Sequence, residues 1–109
     1  MAAKFEVYKD KAGKFRYRLK AANGQIILTG EAYNSKTACI EGVQSVKKNS
    51  QRDSAFEIYE DKKGGCRFRL RAANKEVIGQ GEAYSDRTGC NRGVASVKRN
   101  AAEAKIVEV

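Results

Sequence analysis

At 109 residues, with 22 lysines and arginines against 13 aspartates and glutamates, the chain has a formal net charge of +9 and no histidine. An apolar share of 41% beside 32% charged residues fits a fold that lives in water. No apolar stretch approaches the roughly 18 residues of a membrane span, and the missing imidazole removes the usual proton shuttle and the commonest metal ligand.

The first two predicted elements are alternating stretches, "FEVYKD" and "KFRYRLKAA", with the period of half-buried strands. "DKAGK" between them suits a three-residue hairpin loop with Gly13 in the left-handed position. That loop sets Asp10 opposite Lys14. Val7 then faces Tyr17 and Phe5 faces Leu19 on one side, while Tyr8 faces Arg16 and Glu6 faces Arg18 on the other. Next, Asn23-Gly24 reads as a two-residue mirror-image turn into "QIILTGEAY". Pairing Ala22 with Gln25 puts Ile26 and Leu28 beside Ala21 and Leu19, and sets Glu31 across from Arg16.

After Tyr33 the period changes to that of a helix, with Cys39, Gly42, Val43 and Val46 on one stripe. Asn34 or Ser35 can cap its start, Lys47 and Lys48 favour its negative end, and Asn49 can close it in a left-handed conformation. Gly42 costs about 1 kcal/mol in helix propensity, and its place on the stripe marks a spacer for close approach to the sheet.

Everything then recurs. A shift of 51 positions lays Phe5 on Phe56, Tyr8 on Tyr59, Arg16 on Arg67, Cys39 on Cys90 and Asn49 on Asn100 without a gap, so the chain is an internal duplication. "FEIYED", the loop "DKKGG" with Gly64, "CRFRLRAA", the weaker turn Asn74-Lys75 and the stripe Cys90, Gly93, Val94, Val97 form the second copy. Its caps are Ser85 or Asp86 and Asn100, with Lys98 and Arg99 in the last turn. By the same arithmetic Val77 lies beside Ala72, Glu57 faces Arg69 and Glu82 faces Arg67. The tail "AKIVEV" reads as a final strand, its Val107, Glu108 and Val109 falling over Phe56, Glu57 and Ile58. The expectation is an α+β fold of two tandem β-β-β-α-β repeats sharing one antiparallel sheet, with two helices packed on one face. Residues 5–50 make repeat one, 56–101 repeat two and 104–109 a closing strand. All belong to a single domain spanning 1–109, because a lone unit of about 50 residues buries too little surface.

"FEVYKDKAGKFRYRLKAANGQIILTGEAY" with its helix "SKTACIEGVQSVKKN", and their second copies, resemble the YegP-like family of small uncharacterised bacterial proteins, whose repeat of about 50 residues occurs singly or in tandem. The resemblance implies three strands, a helix and a strand per repeat, one shared sheet and exchanged terminal strands. It implies no activity. The chain departs from its own first copy at Cys66 for Phe15, Lys75 for Gly24 and Gly79 for Leu28, which loosens the second hairpin and core.

Chemistry is sparse. Cys39 and Cys90 occupy the apolar stripe and Cys66 replaces a core aromatic, so all three read as small hydrophobes rather than as redox or zinc ligands. Their odd number and irregular spacing do not make a disulfide framework. With no apolar signal core in "MAAKFEVYKD", the expectation is a cytoplasmic protein. "GQGEAY" lacks the third glycine of a dinucleotide loop, and "KKGG" is a hairpin tip. No metal or cofactor is expected.

One polar constellation occurs twice: Tyr8, Arg16, Arg18 and Glu31 with Glu6, and Tyr59, Arg67, Arg69 and Glu82 with Glu57. Its first reading is a lattice of opposite charges on the helix-free face; its second is a surface for a planar or anionic group, the tyrosines stacking and the arginines donating. The function expected is a non-catalytic binding or interaction domain, monomeric, with a protein or other anionic partner. The alternative is a nucleic-acid-binding accessory protein using a diffuse basic surface. An enzyme with Glu31 and Glu82 as acid or base ranks third.

Overall fold

The computed structural model describes residues 2–109. Strands β1 (Lys4–Lys9), β2 (Phe15–Lys20) and β3 (Ile26–Gly30) precede helix α1 (Lys36–Asn49). A short 3-10 turn, Asp53–Ala55, leads into β4 (Phe56–Glu60), β5 (Cys66–Arg71), β6 (Val77–Gln80), helix α2 (Arg87–Ala101) and β7 (Lys105–Glu108). The seven strands form one sheet in the order β4-β5-β6-β3-β2-β1-β7. Two three-strand meanders therefore meet back to back at β3 and β6, where Thr29 pairs with Gln80 and Gly30 with Gly79.

The first hairpin has the expected register: Phe5 pairs with Leu19, Glu6 with Arg18, Val7 with Tyr17 and Tyr8 with Arg16. Gly13 and Gly64 hold the left-handed position, at φ 82° and 84°. The side chain of Asp10 accepts from the amides of Ala12 and Lys14, and Asp61 does the same for Lys63 and Gly65.

The second turn differs from its expectation. Only Gly24 has a positive φ there, and the Ala21 amide bonds to the Gln25 carbonyl, so the loop has three residues like the first. Lys20, not Ala21, pairs with Ile26, and a bulge beside Leu19 restores the Leu19–Leu28 and Arg18–Thr29 pairs. Repeat two copies this device, pairing Arg71 rather than Ala72 with Val77 and forcing Lys75 to φ 73° where Gly24 stood. A lysine accepts there a conformation that a side chain disfavours.

Two further expectations are corrected. Asn49 and Asn100 do not turn left-handed: both are helical, and each donates from its side-chain amide to the carbonyl four residues back, on Ser45 and Ser96. The sheet is also not wholly antiparallel, because β7 pairs with β1 in parallel, Phe5 beside Ile106 and Val7 beside Glu108. The chain leaves β6 through α2, which carries it across the sheet to the free edge of β1, where β7 runs in the direction of β1 and opposite to β6.

Both helices cover the same face of the sheet. Ser35 and Asp86 are their N-caps, accepting from the Ala38 and Gly89 amides. Cys39, Gly42, Val43 and Val46 of α1, and Cys90, Gly93 and Val97 of α2, are buried, whereas Val94 is half-buried. One cluster of buried side chains runs through both repeats, with Phe5, Tyr17, Leu19, Leu28, Phe68 and Leu70 fully enclosed. Each such side chain contributes roughly 1.5 to 3 kcal/mol of burial.

The glycines of the repeated "GEAY" line explain why it recurs. A Cβ on Gly30 would strike the Tyr17 ring, and one on Gly81 the Phe68 ring. Gly42 and Gly93 face the hydroxyl ends of Tyr33 and Tyr84 in the same way. The repeated line is a packing unit built twice.

Candidate functional site

Alternation sends Glu6, Tyr8, Arg16 and Arg18 to the face away from the helices, with Glu57, Tyr59, Arg67 and Arg69 as their counterparts. In repeat one they are tightly committed. Glu6 takes Arg18 Nε at 2.7 Å, Lys20 Nζ at 3.3 Å and Lys4 Nζ at 3.5 Å. The Arg18 guanidinium also lies 4.5 Å from the centre of the Tyr8 ring. The hydrogen bond from Arg18 holds the Glu6 carboxyl below its ordinary range, outweighing the opposing effect of burial.

Arg16 does not meet Glu31. Strand β3 ends at Gly30 and pairing resumes only at Tyr33, which exchanges both backbone hydrogen bonds with Phe15. Glu31 therefore lies in the break, exposed, and Arg16 Nε donates instead to Asp10 Oδ2 at 2.8 Å. Asp10 already caps the hairpin with Oδ1, leaving Oδ2 for the arginine, which lowers its carboxyl pKa. The sequence held a signal for this: an aspartate that opens a turn is anchored by the turn's amides, and its second oxygen then sits beside the next strand.

Repeat two places the same residue types differently. Arg69 stacks on Tyr59 at 4.1 Å and stands 2.9 Å from Glu57, but its Nε–H is not aimed at the carboxylate. Arg71, absent from the expected set, takes Glu57 with Nη2 at 3.0 Å and donates to the Lys75 carbonyl with Nη1 at 2.7 Å. Arg67 has no ion pair among the described residues, and its buried Nε has no hydrogen-bond partner. Asp61, the counterpart of Asp10, is held by the Lys63 and Gly65 amides and does not accept from it. Arg67, Asp61, Lys62, Lys63 and Ala83 line an open cavity of about 310 Å³.

Glu82, like Glu31, is exposed beyond its strand and makes no hydrogen bond or ion pair among the described residues. Nothing holds either glutamate in place for proton transfer, which requires hydrogen-bond reach of a positioned group. The cysteines are all buried and unbridged. Burial raises the Cys39 thiol, and burial followed by the hydrogen bond to Cys66 pushes Cys90 up to about 12. Neither supplies the thiolate that redox or metal chemistry uses.

Comparison with known proteins follows the same two-part division. A model described as a domain of unknown function, DUF1508, matches residues 10–57 and again 61–108. The chain belongs to this family. A UPF0339 protein in the ptx operon 5' region of Stutzerimonas stutzeri is 45% identical over 109 residues, covering 100% of this chain and 98% of the relative. A UPF0339 protein of Pseudomonas aeruginosa is 48% identical over 104 residues, covering 95% and 94%. The solution structure of yegP from E. coli, a protein of unknown function, superposes with a TM-score of 0.93 at 38% identity, covering 99% of this chain and 93% of that one. The resemblance to the YegP-like family is thereby borne out, together with its tandem form, and these relatives have no assigned activity.

Proposed function

We propose that this DUF1508 chain is a non-catalytic binding domain whose helix-free face, on the side of repeat two, holds a carboxylate-rich protein segment. The observation that carries the reading is Arg67: its Nε is buried and unpartnered beside a cavity that also presents Lys62 and Lys63. A desolvated guanidinium edge without an acceptor costs free energy. Turned into the cavity, the half-buried Arg67 side chain would meet an incoming carboxylate with two parallel N–H donors, the two lysines offsetting the Asp61 carboxylate on the same wall. The net charge of +9 draws such a segment in from a distance.

The same charge would attract nucleic acid. Two features favour protein: the Tyr8 and Tyr59 rings are covered by Arg18 and Arg69 instead of standing open for bases, and the free lysines are scattered over hairpin tips and helices. The test is a ¹⁵N NMR titration with hexaglutamate, run beside a thymidine hexanucleotide. Saturable shifts of the Arg67 Nε–Hε signal with hexaglutamate, lost in Arg67→Gln, are expected. Oligonucleotide binding that is stronger than peptide binding and persists at about 200 mM salt would overturn the reading.

A further inference from the structure

The two ends of the sheet are not finished alike. At one end β7 lies along β1; at the other β4 pairs with β5 alone, and its outer edge has no strand beside it among the described residues. The repeats are copies, so the covered edge shows what fits the open one. Ile106 packs on the core beside Phe5, the Val109 amide donates to the Val7 carbonyl at 3.0 Å, and Glu108 forms an ion pair with Lys36 at the start of α1.

Each of these fittings has a vacant counterpart 51 residues on. Phe56 and Ile58 are only half-buried, whereas Phe5 and Val7 are enclosed. The Ile58 carbonyl corresponds to that of Val7. Arg87, in the position of Lys36, is exposed and has no ion pair among the described residues. Beside it, Tyr59, Glu60, Cys66 and Arg87 border a cavity of about 290 Å³. In repeat one, the corresponding Tyr8, Lys9, Phe15 and Lys36 border a cavity that also has Glu108 and Val109 of the closing strand as its wall.

We infer that the β4 edge receives an extended strand of another protein, running parallel to β4. Its pattern is an aliphatic residue beside Phe56, a non-acidic residue beside Glu57 and an acidic residue reaching Arg87. An exposed edge supplies the backbone bonds, and alternate side chains select the segment. The chemistry speaks against a second copy joined edge to edge: β4 carries Glu57 and Glu60, both exposed, and antiparallel self-pairing would bring like charges together. The site is separate from the Arg67 cavity, and neither requires the other.

The test uses the ¹⁵N-labelled full chain and a synthetic peptide of residues 103–109, EAKIVEV. Saturable shifts on Phe56–Glu60 and Arg87 are expected, with binding unchanged in Arg67→Gln and weakened about fivefold in Arg87→Glu. A peptide with Glu108→Lys should recover affinity for Arg87→Glu, which separates lost charge pairing from a damaged fold. Shifts confined to β1 and the chain's own β7 would mean simple strand exchange and would overturn the inference. So would an absence of shifts, or concentration-dependent growth in analytical ultracentrifugation without peptide, which would make the occupant another copy of this chain.

Discussion

Repeats one and two share a register, a hairpin loop, a bulge and a helix stripe, but they are not equally sealed. The Glu6 side chain is 6% exposed and its counterpart Glu57 47% exposed, although each faces an arginine on the neighbouring strand. Part of the difference lies inside the repeat, where Ala55 replaces the Lys4 that covers Glu6, and part comes from outside it: β7 lies along β1 and leaves β4 bare. A similar local pattern, with Ala55 where Lys4 stands in repeat one, therefore yields a buried carboxylate among three cations in one place and a solvated carboxylate between two arginines in the other. Burial in this sheet depends on position in the strand order as much as on residue type.

The largest test of that contrast lies in the core. Phe5→Ala should cost about 3 to 5 kcal/mol, since the ring is fully enclosed and meets Tyr17 edge-on at 5.9 Å. Phe56→Ala removes a half-buried ring with a similar partner, Phe68 at 6.0 Å, and should cost roughly half as much. Urea unfolding at constant m-value measures both. Equal losses would mean that β7 does not determine the burial of its neighbour.

A smaller difference lies at the centre of the sheet. The Tyr17 hydroxyl crosses into repeat two and donates to the Ile78 carbonyl, while the matching residue, Phe68, has no hydroxyl with which to reciprocate. Burial raises the Tyr17 pKa well above its ordinary value, so it remains a neutral donor through the physiological range. Tyr17→Phe leaves a buried carbonyl unsatisfied and should destabilise by about 1 to 2 kcal/mol, read from the same urea curves. No measurable change would mean that the two meanders are joined by packing alone.

What could be read from the sequence, and what could not, follows the range of the forces involved. The Asp10 and Asp61 loops, the registers of the two outer hairpins and the helical stripes depend on residues close in sequence, and all of them stood out there. The Asn23-Gly24 turn misled because a two-residue and a three-residue loop place glycine in nearly the same spot; the bulge at Leu19 then hides the difference from the rest of the strand. Arg16 went to Asp10 instead of Glu31 because the ladder breaks after Gly30 and resumes only at Tyr33, an interruption that period alone does not mark. The open β4 edge and the unpaired Arg67 were not legible at all. Both arise from where β7 goes and from one changed local pairing, while the two copies spell nearly the same residues.

The finest test compares the two glutamates by acid titration. Glu6 keeps its carboxyl below the ordinary value of 4.5 through the Arg18 hydrogen bond first, then Lys20. A folded-state pKa below the unfolded one means that this group stabilises the protein fully above the unfolded value. The contribution fades as pH falls through the folded value. Stability should therefore hold from neutrality to about pH 5 and decline below that. Glu6→Gln should cost about 1 kcal/mol at pH 7 and flatten part of the acid decline. The decline that persists belongs to Asp10, which Arg16 and the Lys14 amide also hold low. Glu57→Gln, exposed on the open edge, should change stability at pH 7 by only a few tenths of a kcal/mol, about the median for a surface pair. If the two substitutions cost the same, the cover provided by β7 has no electrostatic consequence, and the sheet's ends differ in shape alone.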